Sequence, residues 1–324
     1  MVTAHLYVKT RQLRFKSLPH HDFYRKRVVM FWQQMVNAIN LGAMYSLLAI
    51  GYTMVYGIIK LINFAHGEIF MCGAFFTWWF MTAQSVPFPI AALLGIMLST
   101  LLGISVERIA YRPLRNAPRF AVIISVLGMS IFLQNMARIV WGAEFQTFDV
   151  DFGLPAIIFG NVVIPFKKIF ILATSLILMI AIGLYVKKTY IGKAMRATAA
   201  DPEAAEMMGI NINAVIVLTF AIGSAMGAVA GILFAVNYNS IDPFMGFNAG
   251  LKAFTAAVLG GIGNIYGAMI GGILLGVFEG IGAGYISSLY RDAFAFGVLI
   301  LVLIFRPEGL LGEIGKSKKR EQPR

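Results

Sequence analysis

The sequence predicts an all-α polytopic integral membrane protein, and three observations support this fold class. Of the 324 residues, 59% are hydrophobic and only 13% are charged, whereas soluble domains average about 45–50% apolar and about a quarter charged residues. The mean hydropathy is +0.77. Apolar runs long enough to cross the hydrocarbon core of a bilayer, roughly 20 residues, recur along the chain. No polar stretch is long enough for a separate soluble domain, so we expect one membrane domain.

These runs predict about eight transmembrane helices. They cover residues 33–59, 67–84, 88–106, 121–141, 168–186, 213–237, 264–286 and 292–305. Residues 250–262 are apolar but short and end in a glycine-rich break, which favours a half-helix or re-entrant element and leaves a ninth crossing open. A second broken or re-entrant element is expected near residues 57–67.

The chain divides into a membrane domain with two basic ends. We assign residues 1–29 to a basic N-terminal extension, residues 30–312 to the membrane domain and residues 313–324 to a basic cytoplasmic tail. The extension shows no signal-peptide cleavage pattern, because the apolar run after it continues as a span. Met30 is an alternative start, which leaves open whether the extension belongs to the mature protein.

Charge predicts the orientation of the chain. The formal net charge is +12, but the basic residues cluster beside apolar spans without aromatic interleaving, so no nucleic-acid partner is expected. The basic segments 107–119, 187–212 and 306–324 should face the cytoplasm, and the acidic segments 142–166 and 238–249 should face outward. This orientation puts the basic N-terminal extension outside, unless an extra broken helix lies within residues 33–68.

The sequence has no pattern that indicates an enzyme or a metal protein. Cys72 is the single cysteine, so no intrachain disulfide can form. His66 is the only histidine after residue 21, which excludes a metal site built from several histidines or cysteines there. No nucleophile–base constellation is present, and no cofactor is expected.

A polar segment, residues 63–68 (NFAHGE), interrupts the most apolar part of the chain. Ionisable groups are costly at membrane depth, so Asn63, His66 and Glu68 need a physical reason to be there. One interpretation is that they satisfy backbone groups freed by a broken helix. A second is that they form the substrate path or its gate, and a third is that they form a proton relay. The glycine-rich break at Gly260, Gly261 and Gly263 is the other candidate for the path.

Two further patterns concern packing between helices. Glycines recur at four-residue spacing, which puts each set on one helix face and favours close contact with a neighbouring helix. The sets are Gly223, Gly227 and Gly231, and Gly272, Gly276, Gly280 and Gly284. Lys60, Lys252 and Glu279 are additional charges near membrane depth, and Glu279 is expected to pair across helices with a partner that the sequence does not identify.

The segment after Asp201 predicts a short, smooth cytoplasmic helix. Asp201 can cap it, Pro202 suits the first helical position, and Glu203 favours the helix dipole. Ala204 and Ala205 keep the helix slim. Gly209 and Asn211 are then expected to end it. The spacing of Glu203, Ala204, Ala205 and Gly209 resembles the coupling helix of ATP-binding cassette (ABC) importer permeases, whose pattern is Glu-Ala-Ala, three residues, then Gly.

Four motifs in order resemble the permease of the high-affinity branched-chain amino acid ABC importers, most closely the first of the two permeases in such systems. They are residues 51–57 (GYTMVYG), 63–68 (NFAHGE), 107–113 (ERIAYRP) and 252–263 (KAFTAAVLGGIG). The likeness runs from about residue 30 to residue 312. It implies a multi-pass permease of the inner membrane that moves leucine, isoleucine and valine and performs no covalent chemistry.

The resemblance also implies partners. They are a second homologous permease, two ATP-binding cassette subunits that hydrolyse ATP, a periplasmic amino-acid-binding protein and the membrane lipid. Two alternatives stay open. One is a permease of the same family for urea or short-chain amides. The other is an ion-coupled secondary transporter, which the predicted coupling helix argues against.

Overall fold

A computed structural model of the chain describes residues 20–115, 117–159 and 162–312, with side chains described from residue 29 onward. Most of the predicted N-terminal extension and the whole predicted tail, residues 313–324, therefore lie outside the described residues.

The described residues form eleven α-helices joined by short segments. The helices are α1 His20–Ile59, α2 His66–Ala83, α3 Phe88–Val106, α4 Arg119–Trp141, α5 Phe166–Lys188, α6 Tyr190–Ala200, α7 Pro202–Met207, α8 Ile212–Tyr238, α9 Met245–Gly260, α10 Ile265–Tyr285 and α11 Arg291–Phe305. A π-helical turn Glu107–Tyr111 and 3₁₀ turns Arg112–Leu114 and Ser288–Tyr290 complete the helical structure. The strands are β1 Gln146–Thr147, β2 Ile157–Phe159, β3 Val162–Ile164 and β4 Ser240–Ile241.

This architecture confirms the predicted all-α membrane fold. Within the described residues, seven helical segments are long and apolar enough to cross a membrane. The predicted run at residues 67–84 forms α2, which is not among those seven, and this accounts for the difference from the predicted eight. The predicted short element at 250–262 forms α9, a helix of 16 residues.

Two local predictions were wrong. The first span was expected to begin at residue 33, but α1 begins at His20, because a helix can continue through polar residues that a search for apolar runs leaves out. Asn211 was expected to help end the short cytoplasmic helix. Its side chain instead accepts a hydrogen bond from the Ala214 N–H at 3.0 Å and caps α8. The short strands between residues 146 and 164 were also not predicted.

The two ends of the bundle differ in charge as the sequence indicates. One end, here called the basic end, carries residues 60–65, 107–115, 187–212 and 306–312. Tyr111 Oη donates to the Ile62 carbonyl at 3.1 Å there. At the opposite, acidic end, β1 pairs with β4 antiparallel, with Gln146 opposite Ile241. Trp78 also contacts this end, where its Nε1 donates a hydrogen bond to the Thr147 carbonyl at 3.0 Å.

The core forms where glycine faces let helices approach closely, as predicted. α1 packs most extensively against α10. A Cβ on Gly280 would lie 2.5 Å from the Ala38 Cβ, and a Cβ on Gly42 would lie 2.7 Å from the Ile273 Cα. On α8, a Cβ at Gly223 would stand 3.3 Å from the Gly51 carbonyl oxygen. Because these contacts leave no room for a side chain, α1, α8 and α10 form the compact centre of the bundle.

Candidate functional site

The polar segment at residues 63–68 lies inside the bundle. After α1 ends at Ile59, Lys60 adopts a positive φ of 57° and the chain stays non-helical until α2 begins at His66. The imidazole of His66 lies against Gly51 of α1 and Gly227 of α8. Gly51 precedes the end of α1 by eight residues, or roughly 12 Å of helix at 1.5 Å per residue. α2 therefore begins well within the depth of the bundle.

A second helix begins at the same depth and meets α2. A Cβ on Gly246, the second residue of α9, would stand 2.6 Å from Glu68 Oε2 and 2.7 Å from the Gly67 carbonyl oxygen. A Cβ on Gly250 would lie 3.0 Å from the Gly67 Cα. We call Gly67, Glu68, Gly246 and Gly250 the helix junction. Only glycines allow the two helix starts to come this close.

The junction explains how a carboxylate can be buried there. Glu68 is 1% exposed and lies in the first turn of α2, beside the start of α9. The N-terminus of a helix carries a partial positive charge, so two such ends favour a carboxylate between them. Ser130 of α4 donates a hydrogen bond to Glu68 Oε1 at 3.2 Å. No ion pair to Glu68 occurs among the described residues.

Several buried polar atoms near the junction have no hydrogen-bond partner within the described part of the chain. They are both side-chain polar atoms of Asn63, His66 Nε2 and Glu68 Oε2. His66 also packs edge-on against Tyr52, with ring centroids 4.8 Å apart. Most buried polar atoms in proteins are paired, so these unpaired atoms are available to bind water or a ligand.

A second polar group, which we call the ionic cluster, surrounds the buried Glu279 and consists of Lys252, Glu279, Arg291 and Asp292. Glu279 Oε1 accepts hydrogen bonds from Lys252 Nζ at 3.0 Å and from Tyr45 Oη at 3.3 Å, and it forms an ion pair with Arg291, whose Nε lies 2.5 Å away. Lys252 also pairs with Asp292 Oδ1 at 2.7 Å. The predicted pairing of Glu279 across helices is thus confirmed, and it joins α1, α9, α10 and α11.

The predicted break at Gly260, Gly261 and Gly263 forms the turn between α9 and α10. Gly261 and Gly263 have φ values of 104° and 98°, in the region that favours glycine. Gly260 packs against Gly267 of α10. Gly263 lines a cavity of about 750 Å³ at the basic end, whereas Asn63, His66 and Glu68 do not. The two groups of candidate path residues are therefore not brought together in one cavity.

The predicted coupling segment forms α7. Asp201 Oδ1 accepts from the Ala204 N–H at 3.1 Å, and Pro202 begins the helix as expected. Ala205 is 4% exposed and holds α7 against the bundle, while Gly209 follows the helix with a φ of 83°. Glu203 and Ala204 are exposed.

Some residues around these sites were not identified from sequence. Two of them, Gly246 and Gly250, are part of the junction, and Ser130 contacts it. Another, Arg291, pairs with Glu279. The four-residue spacing of Gly246 and Gly250 is the same signal as in the two predicted glycine faces and could have indicated close packing. Met207 and Met208, 88% and 83% exposed at the end of α7, also escaped notice because the sequence alone does not show that they face outward.

Comparison with known proteins agrees with the motifs. A family model described as branched-chain amino acid transport system / permease component matches residues 34–303. The chain is 44% identical over 300 residues to BraD of Pseudomonas aeruginosa, a high-affinity branched-chain amino acid transport system permease protein, covering 87% of this chain and 96% of that protein. It is also 43% identical over 305 residues to LivH of Escherichia coli K12, which is likewise named a high-affinity branched-chain amino acid transport system permease protein. That match covers 89% of this chain and 97% of LivH.

A solved structure with a similar chain is that of PsaBC from Streptococcus pneumoniae in complex with Fab, with 11% identity and a TM-score of 0.49 over 86% of this chain and 92% of that one. The seven long apolar helices within the described residues define a multi-pass helical membrane protein. The chain belongs to the family of permease components of branched-chain amino acid transport systems.

Proposed function

We propose that this chain is a membrane-spanning subunit of an ABC importer that carries leucine, isoleucine and valine across the inner membrane. The observation that carries the proposal is the 43–44% identity, over nearly the whole length of both chains, to permeases named for this substrate class. The chain performs no covalent chemistry itself. Two ATP-binding cassette subunits supply the energy, a second homologous permease completes the path, and a periplasmic binding protein delivers the amino acid.

The proposed orientation puts the basic end in the cytoplasm. Loops rich in lysine and arginine stay on the cytoplasmic side of a membrane, and the basic segments 107–115 and 187–212 share this end. The acidic end, where β1 pairs with β4, then faces the binding protein.

We propose that the substrate path passes the helix junction. Transporters commonly bind substrates near the middle of the membrane at the ends of broken helices, and α2 and α9 both begin inside the bundle. Asn63, His66 and Glu68 carry unpaired buried polar atoms that suit the ammonium and carboxylate of an amino acid. Gly260, Gly261 and Gly263 would let the α9–α10 turn move at the cytoplasmic end of the path.

We propose that α7 is the coupling helix that docks on an ATPase subunit. Glu203, Ala204, Ala205 and Gly209 match the pattern of such helices. Met207 and Met208 strengthen the proposal, because large apolar side chains exposed at a water-facing end suit a partner surface. Glu203→Lys and Gly209→Trp should therefore release the ATPase subunits on purification and abolish transport, while the membrane subunit stays folded. Normal co-purification and normal transport by both variants would contradict this role.

The decisive experiment reconstitutes the two permeases and two ATPase subunits in vesicles with the binding protein. We expect leucine uptake to require ATP and the binding protein and to be competed by isoleucine and valine. Competition by urea or short-chain amides instead would identify the alternative substrate class. Uptake that persists without ATP under an ion gradient would identify a secondary transporter.

We also expect a chain that begins at Met30 to support transport. The resemblance to the permeases begins near that residue, and Gln33, three residues further on, donates a 3.0 Å hydrogen bond to the Val163 carbonyl. Uptake by vesicles that contain the shortened chain measures this directly, and loss of membrane insertion would mean that the first 29 residues have a structural role.

A further inference from the structure

The cavity at the basic end has a composition that no part of the proposed transport path requires. Its volume is about 750 Å³, within the range of about 300–1,000 Å³ typical of small-ligand sites. It lies between the end of α1, the end of α5, α6, α8 and the α9–α10 turn.

The charged residues that line this cavity all have the same sign. Lys60, Lys187 and Arg196 line it, and no aspartate or glutamate does so among the described residues. Arg196 is held in position by donating one hydrogen bond to the Val186 carbonyl. A guanidinium has five N–H donors, so Arg196 keeps donors for a ligand. The cavity is therefore suited to an anion such as a phosphate group, which arginine binds in a bidentate manner.

The rest of the wall is largely apolar. Met54, Ile58, Met195 and Ile265 line the cavity together with the three cations. A small inorganic anion gains nothing from contact with this apolar surface, because it keeps its hydration shell. The combination of three cations with an apolar wall favours a ligand that carries both a phosphate group and an apolar portion.

Exposed apolar and aromatic side chains border one side of the cavity. Tyr266 of α10 is 49% exposed, and a Cβ on Gly183 of α5 would lie 3.3 Å from its Cε1. The neighbouring residues Ile180 and Ile270 are 53% and 45% exposed, on helices long and apolar enough to cross a membrane. Tyrosines at the ends of membrane helices mark the level of the lipid headgroups. The cavity therefore lies at headgroup level.

We propose that this cavity binds the phosphodiester headgroup of an anionic phospholipid from the cytoplasmic leaflet. Basic pockets between membrane helices on the cytoplasmic side bind such headgroups. The proposal rests on the proposed orientation of the basic end. Arg196 and Met195 belong to α6, which leads through Asp201 into α7, so a bound headgroup would tie α1 and α5 to the helix that carries the proposed coupling segment.

The test measures lipid retention and not transport, so its failure is distinguishable from failure of the proposed function. The assembled transporter is placed in nanodiscs of phosphatidylcholine with a minor fraction of phosphatidylglycerol, and the lipid retained after extraction is counted by native mass spectrometry. The variant combines Lys60→Gln, Lys187→Gln and Arg196→Gln. The matched control combines Lys188→Gln and Lys193→Gln, which are exposed basic residues of the same segment outside the cavity.

We expect the cavity variant to lose phosphatidylglycerol retention at least tenfold and the control to keep it. If the triple variant does not assemble, Ala200→Glu introduces a carboxylate into the cavity wall and should lower retention in the same way. Equal retention by Ala200→Glu or the triple variant would overturn the proposal. Displacement of the lipid by millimolar glycerol phosphate would identify a soluble phosphate ester as the ligand, and displacement by leucine would identify the cavity as a substrate exit; either result would also overturn it.

Discussion

Glu68 and Glu279 are both fully buried glutamates, yet their surroundings differ. Glu279 is 0% exposed, accepts hydrogen bonds from a lysine and a tyrosine and forms an ion pair with an arginine. Glu68 is 1% exposed and has one hydroxyl donor, Ser130, and two helix N-termini beside it. The first carboxylate is neutralised by full opposite charges from other helices, whereas the second is stabilised only by dipoles.

This difference is the basis of our proposal that Glu279 has a structural role and Glu68 a functional one. The ionic cluster contains two cations and two carboxylates, so its charges balance within the protein and it can tie α9, α10 and α11 together. Each carboxylate has one oxygen without a hydrogen bond, Glu279 Oε2 and Glu68 Oε2, but among the described residues only Glu279 has cations beside it. An incoming ammonium group would supply the positive charge that the protein does not provide there. The predictions below test whether the two glutamates follow this division.

The largest effect is expected from Glu279→Ala. Removing Glu279 leaves Arg291 without its carboxylate partner and Lys252 with Asp292 alone, and breaking a buried ion pair in this way costs about 3–5 kcal/mol. We expect most of the variant to be lost from the membrane or to unfold at a much lower temperature. Thermal unfolding of the purified transporter, followed by size-exclusion chromatography, measures the loss. Wild-type stability would show that the cluster does not hold the helices together.

The next largest effect is expected from Glu68→Gln, and it should appear in transport and not in stability. Glutamine keeps the shape of Glu68 and can still accept from Ser130, so stability should change by about 1 kcal/mol or less. Leucine uptake per assembled transporter should fall about tenfold or more, because the negative charge is gone.

Glu279→Gln is the matched control for that prediction. It removes the same charge from the other buried glutamate and should lower stability while uptake per assembled transporter stays near wild type. If Glu68→Gln instead lowered stability and Glu279→Gln instead lowered uptake, Glu68 would have the structural role and Glu279 the functional one.

His66→Leu should have an intermediate effect on transport. Leucine removes the polar ring beside Tyr52 and Gly51, and loss of a buried polar partner costs roughly 1–3 kcal/mol. That energy is enough to shift a gate between two states, while a bundle of this size should remain assembled. Vesicle uptake of leucine should therefore fall more than the amount of assembled transporter does, and an equal fall in both would indicate a structural role alone.

The smallest effect is expected from Asp292→Asn. Asp292 belongs to the ionic cluster but is 67% exposed, and ion pairs at exposed positions contribute about 0–1 kcal/mol. The unfolding temperature of the Asp292→Asn transporter should therefore stay close to that of the wild type. A loss as large as that of Glu279→Ala would mean that the cluster depends on its outer carboxylate.

Much of the fold could be predicted because a lipid bilayer permits few backbone conformations. A backbone inside a bilayer must satisfy its own hydrogen bonds, so a long apolar run is a helix. The observed α3 has the predicted bounds, and α4, α5, α8 and α10 differ from prediction by one or two residues at their ends. The breaks after residue 59 and residue 260 were also predicted, since polar and glycine-rich segments interrupt apolar runs there.

The sequence by itself determined the fold class, the helix breaks, the cap of α7 and the unusual polarity of residues 63–68, because these depend on local composition and spacing. Only the tertiary structure decided which groups meet. Gly67 faces Gly246, Ser130 faces Glu68, and Glu279 pairs with Lys252 and Arg291. These residues are far apart in the chain, and their contacts depend on how helices cross and on side-chain directions, which a one-dimensional pattern of hydrophobicity does not contain.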